Sequence, residues 1–96
     1  MELSLKEIKE SLRIDYDDDD AYLSLLNEAA IEQLKGMTGF DLTKSNSSQA
    51  KIVCLAIIHE LYKDRSLTTE KAGEKLKPVM QSILIQLSHQ AKERSE

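Results

Sequence analysis

The sequence predicts an all-α fold, a small bundle of three main helices plus a short N-terminal helix. Apolar residues recur at spacings of three and four along most of the chain. Only three Gly and one Pro interrupt the 96 residues, and no stretch of useful length alternates apolar with polar residues. At this length we expect one domain, residues 1–96, with a polar C-terminal tail from about residue 88.

The short first helix follows Ser4, which we expect to cap it together with Glu7 in a capping box. Leu5, Ile8 and Leu12 then repeat at helical spacing. This pattern ends near residue 14, where a run of aspartates begins.

The second helix is predicted from about Asp19 to Lys35. Its apolar stripe consists of Leu23, Leu26, Ala30, Leu34 and Met37. The segment "GMTG" ends it, because Gly36 and Gly39 suit a C-cap and a turn.

"FDLTKSNSS" is a predicted loop, and Ser47 or Ser48 then caps a third helix over roughly residues 49–64. Its stretch "IVCLAII" is apolar around most of the helix circumference. The third helix is therefore expected to be the central, most buried one.

The polar segment "RSLTTEKAGEKLK" is ambiguous between an exposed loop and a frayed helical turn, and Gly73 weakens any helix there. Pro78 suits the first position of a last helix. The expected apolar face of that helix consists of Val79, Met80, Ile83, Leu84 and Leu87.

Composition excludes several classes of protein. The net charge of −4 argues against a nucleic-acid binder, which would present a basic face. The single cysteine, Cys54, cannot form an internal disulfide and fits a reducing compartment. "MELSLKEIKE" lacks the apolar region of a signal peptide, and the longest apolar run is far shorter than the roughly 20 residues that span a bilayer. We therefore expect a soluble protein made inside the cell.

Five aspartates occupy six positions in "DYDDDD", residues 15–20. A calcium loop needs Gly at its sixth position and Glu at its twelfth. Counting from Asp15 places Leu26 at the twelfth position, and counting from Asp17 places Tyr22 at the sixth, so neither register fits. Asp19 or Asp20 is instead expected to cap the second helix, whose positive end favours carboxylates.

The remaining chemical motifs are incomplete. In "HELYK", Lys63 stands where a zinc protease has its second histidine. Cys54 lies within an apolar run with no base beside it, which favours a small buried hydrophobe over a nucleophile. The helix after "GMTGF" is too apolar for a DNA-recognition helix. We therefore expect no enzyme activity, no metal and no cofactor.

Several stretches together resemble the small head–tail connector proteins of tailed bacteriophages, which are also described as DNA-packaging proteins. The resemblance begins with "LKEIKESLRID", continues through "DDDDAYLSLLNEAA" to "MTG", resumes at "AIIHELYKDRS" and closes with "VMQSILIQLS". It extends from Leu5 to about Ser88. The order and spacing of these segments make it specific, although each segment alone is common.

This resemblance implies a helical adaptor that forms a ring under the portal protein, with about twelve subunits expected of a portal partner. Such a ring extends the DNA channel without binding DNA specifically and docks the next connector or tail-completion protein. It implies a virion component at the head–tail junction, made in the host bacterial cytoplasm. The alternative from the residues alone is a small helical protein-binding regulator, antitoxin-like, with no virion role.

Two sets of residues are candidates for function. Asp17, Asp18, Asp19 and Asp20 are expected either to line an acidic channel or to cap the second helix. His59, Tyr62 and Arg65 mark the end of the third helix, where His59 and Tyr62 share a helix face. These three residues are expected either to fasten the helix end to the following loop or to lie at a subunit interface.

Overall fold

The computed structural model describes residues 4–44, 47–64 and 68–94. Within these ranges the chain forms four helices and no strand, so the predicted all-α bundle is confirmed. The helices are α1 (Leu5–Leu12), α2 (Asp20–Thr38), α3 (Ser48–Lys63) and α4 (Thr69–Arg94). Helices α2, α3 and α4 pack against one another, and α1 packs on α2 and α3.

Local capping signals define the starts of two helices as predicted. Ser4 and Glu7 form the capping box of α1, with the Ser4 hydroxyl accepting from the Glu7 N–H. The Ser47 hydroxyl accepts from the Ala50 N–H at 3.2 Å and caps α3.

Helix α2 is longer than predicted, because it continues through Gly36 to Thr38. Gly39 is its C-cap, with φ of 81°. The Thr38 hydroxyl donates to the Leu34 carbonyl and accepts from the Phe40 N–H. The segment after the helix is irregular as expected, yet it buries Phe40 and Leu42 in the core.

The prediction for the fourth helix is wrong at its start. Helix α4 begins at Thr69, so Pro78 lies inside it rather than at its first position. Met80 has non-helical dihedrals (φ −114°, ψ 20°), which marks a kink. A proline within a helix lacks one N–H and collides with the preceding turn, which accounts for the bend.

Gly73 explains why residues 69–77 of the ambiguous polar segment are helical. A Cβ placed on Gly73 would lie 2.6 Å from Gln33 Nε2 and 3.1 Å from Met37 Sδ. The glycine therefore lets α4 approach α2 closely, and this packing stabilises a segment of weak helix propensity. The stretch from residue 88, predicted as a tail, also continues α4 to Arg94.

The core is built mainly from the predicted stripes. Its fully buried residues include Leu23, Ala30 and Leu34 of α2, Val53, Cys54, Ile57 and Ile58 of α3, and Leu87 of α4. Two apolar residues expected inside the protein are on its surface, because Ile52 is 50% exposed and Val79 is 78% exposed.

Candidate functional site: the acidic loop and its attachment to α3

The acidic loop, residues 13–19, connects α1 to α2. It begins at Arg13, whose left-handed backbone (φ 60°) ends α1 while its N–H donates to the Glu10 carbonyl. Ile14 then donates its N–H to the Lys9 carbonyl and is nearly buried. These contacts direct the aspartates that follow along the surface towards α2.

Asp19 occupies the N-cap position of α2, but its side chain makes no capping hydrogen bond. The prediction that its carboxylate caps the helix is therefore wrong. Its carboxylate instead accepts a hydrogen bond of 2.6 Å from the Tyr62 hydroxyl. The Tyr62 hydroxyl, at the end of α3, offers Asp19 a hydrogen-bond donor in a partly buried position. A capping hydrogen bond at the surface would only replace a hydrogen bond with water, so it would add less stability.

Tyr16 extends this contact into a small network. Its hydroxyl lies 3.1 Å from the Tyr62 hydroxyl, and the rings of Tyr62 and Tyr22 are 6.4 Å apart. All three tyrosines of the chain therefore meet where the acidic loop contacts α3. The hydrogen bond to Asp19, reinforced by Tyr16, raises the pKa of Tyr62 well above its usual range because both favour the neutral phenol.

Lys9 holds the other side of the loop. Its ammonium lies 2.7 Å from an Asp17 oxygen and 2.9 Å from an Asp20 oxygen. These hydrogen bonds raise the pKa of Lys9, and the contact with Lys9 lowers the pKa of Asp17. Asp20 is also the first residue of α2, where its charge favours the positive end of the helix. The Asp17 side chain remains 87% exposed, and Asp15 and Asp18 are exposed as well.

His59 attaches the end of α1 to α3, since its Nε2 lies 2.7 Å from the Ser11 hydroxyl. His59 and Tyr62 thus contact residues 11–19, which precede α2. The predicted fastening to the loop after α3 involves residues 65–67, which lie outside the described residues. Arg65, the third residue singled out at this helix end, lies outside the described residues.

These contacts involve residues that the sequence did not single out: Lys9, Ser11 and Tyr16. Their partners are eight to 48 positions away along the chain. The only local signal was the position of Tyr16, an aromatic residue within a run of acidic ones.

A model of the phage gp6-like head–tail connector family matches residues 2–91. The chain belongs to this family. The connector is therefore assigned to a structural rather than an enzymatic family, whose members are virion components that associate with other head and tail proteins. No curated protein and no solved structure matches it significantly.

The connector buries its single thiol. Cys54 is inaccessible, and burial raises its pKa to about 12, so the reactive thiolate is not populated at neutral pH. In residues 4–44, 47–64 and 68–94, no three His, Cys, Asp or Glu side chains are grouped so that they could hold a metal ion. None of the helices in this part of the chain has both the length and the apolar character to cross a membrane.

Two surface depressions flank α4 of the connector. A groove of about 520 Å³ lies between α2 and α4 at the kink and includes Met37, Pro78 and Ile85. A cleft of about 300 Å³ lies between α1, α3 and α4, with Leu55 and Leu76 in its lining and His59 at its edge. Both depressions are open to solvent.

Proposed function

We propose that the connector forms a closed ring of about twelve copies beneath the portal protein and continues the channel through which DNA passes. The observation that carries this proposal is the family match, which extends over residues 2–91. The family assignment also favours the connector over the small regulator considered from the residues alone. In the ring, one side contacts the portal, and the other docks the next connector or a tail-completion protein.

In this proposal the acidic loop keeps DNA from adhering to the channel. A ring of about twelve copies, each with a net charge of −4, carries on the order of −50 charges. Fixed positive charge would hold phosphates, whereas exposed carboxylates repel them. Asp17 and Asp18 face the channel. The loop is held by the Asp19–Tyr62 hydrogen bond and by Lys9, which contacts both Asp20 and Asp17.

His59 and Tyr62 act in this proposal as attachment residues that set the position of the loop. Their contacts with Ser11 and Asp19 are within one subunit. A contact between Arg65 and a neighbouring subunit remains a prediction from the sequence.

Assembly is tested by native mass spectrometry of the connector alone and by particle imaging with purified portal protein. We expect monomers or weak oligomers in isolation and a closed ring on the portal. A connector that stays monomeric and does not bind the portal protein at high concentration would refute the proposal.

The channel role is tested with a charge-reversal pair. Replacing Asp17 and Asp18 with Lys should make the assembled ring retain DNA in a filter-binding assay. Replacing Glu70 and Glu74 with Lys, which changes the net charge by the same amount on α4, should leave DNA retention low. Equal DNA retention by both variants would show that net charge alone matters and that Asp17 and Asp18 do not face the channel.

A further inference from the structure

An apolar surface lies on the outer side of the α3–α4 pair. Two polar contacts define how these helices align: Gln49 Nε2 donates to Gln86 Oε1 at 2.6 Å, and Lys75 Nζ lies 2.7 Å from Glu60 Oε1. The later residue of α3 pairs with the earlier residue of α4, so the two helices run antiparallel. The two contacts are 11 residues apart on each helix, so the helices stay aligned between them. They are about 16 Å apart along the helix axes.

Four apolar residues lie between these contacts, and we call them the seam: Ile52, Ala56, Val79 and Ile83. They lie on the helix rows that join Gln49 to Glu60 and Lys75 to Gln86. Ile52 is 50% exposed and Val79 is 78% exposed, while Ala56 and Ile83 are half-buried. An uncovered apolar strip framed by polar residues is typical of the centre of a protein interface.

A single large apolar side chain projects from the opposite side of the bundle. Leu25 is 60% exposed and points about 200° around α2 from buried Leu23. Because α2 packs against both α3 and α4, its outer side and the outer side of the seam face in opposite directions. Glu28 and Glu32 follow Leu25 on the same side of α2, and neither has an ion-pair partner among the described residues.

The two lysines beside the seam have nearly the same spacing along α4 as the two glutamates beside Leu25 have along α2. Lys75 and Lys71 precede Val79 by one and two helical turns, about 6 and 12 Å along α4. Glu28 and Glu32 follow Leu25 by about 4.5 and 10.5 Å along α2. Both lysines are exposed, although Lys75 already contacts Glu60. Two helices running antiparallel would therefore pair apolar with apolar and acid with base.

We propose that the seam docks α2 of a second copy of this chain, with Leu25 of the second copy against Val79, its Glu28 near Lys75 and its Glu32 near Lys71. The proposal rests on the ring under Proposed function and assigns the contact that closes it. Since the two contacting surfaces differ and lie on opposite sides, the contact is head-to-tail, the type that generates rings.

Charge exchange tests this contact on portal-seated rings counted by particle imaging. Glu28→Lys with Glu32→Lys, and separately Lys71→Glu with Lys75→Glu, should each reduce ring formation about tenfold, because like charges would face each other. An equimolar mixture of the two variants should restore rings, since every contact in an alternating ring is then complementary. Thermal melts followed by circular dichroism check that each variant is folded.

A matched pair tests the apolar part of the contact. Leu25→Ser should reduce ring formation, whereas Ile85→Ser, which alters a half-exposed apolar side chain outside the seam, should not. If wild-type rings form and the charge variants assemble equally well, the seam contact is wrong but the ring stands. If the charge variants fail and their mixture is not rescued, the second copy is not the occupant. If the wild type forms no ring, the proposed function fails, and the seam contact with it.

Discussion

At the residue scale, Gly39 ends α2 because its backbone adopts φ of 81°, which is unfavourable for a residue with a side chain. Gly36, three residues earlier, lies within the helix and has open space where a Cβ would stand. Replacing glycine with alanine should therefore have opposite effects on the free energy of unfolding at the two positions.

We predict that Gly39→Ala lowers the free energy of unfolding by about 1 kcal/mol, the cost of a left-handed backbone in an L residue. Gly36→Ala should raise it by about 0.5–1 kcal/mol, because alanine favours the helix. Urea denaturation of both variants measures the difference. A loss of stability at both positions would contradict the assigned end of α2.

Asp41 makes a pH-dependent contribution after α2. Its carboxylate accepts from the hydroxyl and the N–H of Thr43 and lies 3.6 Å from Lys35 Nζ. The Thr43 hydroxyl contributes most to lowering the pKa of Asp41 in the folded state. A carboxyl whose pKa is lower when folded stabilises the protein above its unfolded pKa, and this stability is lost as the pH falls through the folded pKa.

We therefore predict that Asp41→Asn lowers the melting temperature at neutral pH and that its difference from wild type shrinks below about pH 4. Calorimetric melts of both proteins across this pH range provide the measurement. Thr43→Val, which removes the hydroxyl donor, should reduce the same pH dependence. A difference that stays constant with pH would exclude ionised Asp41 as its source.

At the element scale, α4 combines one deeply buried side with an exposed one, and the Pro78 kink lies between its two halves. Leu87 is fully buried, whereas Val79 is largely exposed although both belong to the stripe predicted as apolar. The kink alters the direction of the helix, so a stripe continuous in the sequence does not remain continuously buried.

Leu87→Ala should lower the free energy of unfolding by about 2–4 kcal/mol, because it leaves a cavity in the core. Val79→Ala should change it by less than about 0.5 kcal/mol in the isolated subunit. Chemical denaturation distinguishes the two effects. A large loss of stability at Val79 would mean that this side chain is covered in the monomer.

At the scale of the whole molecule, burial is uneven. Helices α2 and α3 each bury six residues, whereas α1 buries Ile8 alone. An eight-residue helix is not stable by itself in water. Helix α1 therefore depends on Ile8, on partly buried Leu5 and Leu12, and on the polar contacts of Lys9 and Ser11.

We predict that amide hydrogens of α1 exchange with solvent faster than those in the middle of α2 and α3, because the least buried unit opens at the lowest free energy. Ile8→Ala should accelerate exchange in α1 more than in α3. Hydrogen exchange followed by mass spectrometry resolves both segments. Protection of α1 equal to that of α3 would show that the bundle opens only as a whole.

The sequence alone determined those features that depend on neighbours a few residues apart. The Ser4–Glu7 capping box, the Ser47 cap and the stripe from Leu23 to Leu34 follow from side chains within one or two helical turns. The order of such segments also identified the connector family before any contact was known.

Only the tertiary structure decided which distant residues meet. Asp19 contacts Tyr62 across 43 positions, and Ser11 contacts His59 across 48, so local spacing contains no information about either pair. The helical state of residues 69–77 likewise depends on Gly73 packing against α2, a contact that outweighs weak local propensity. The exposure of Ile52 and Val79 was also decided by tertiary packing, because an apolar residue is buried only where another helix covers it.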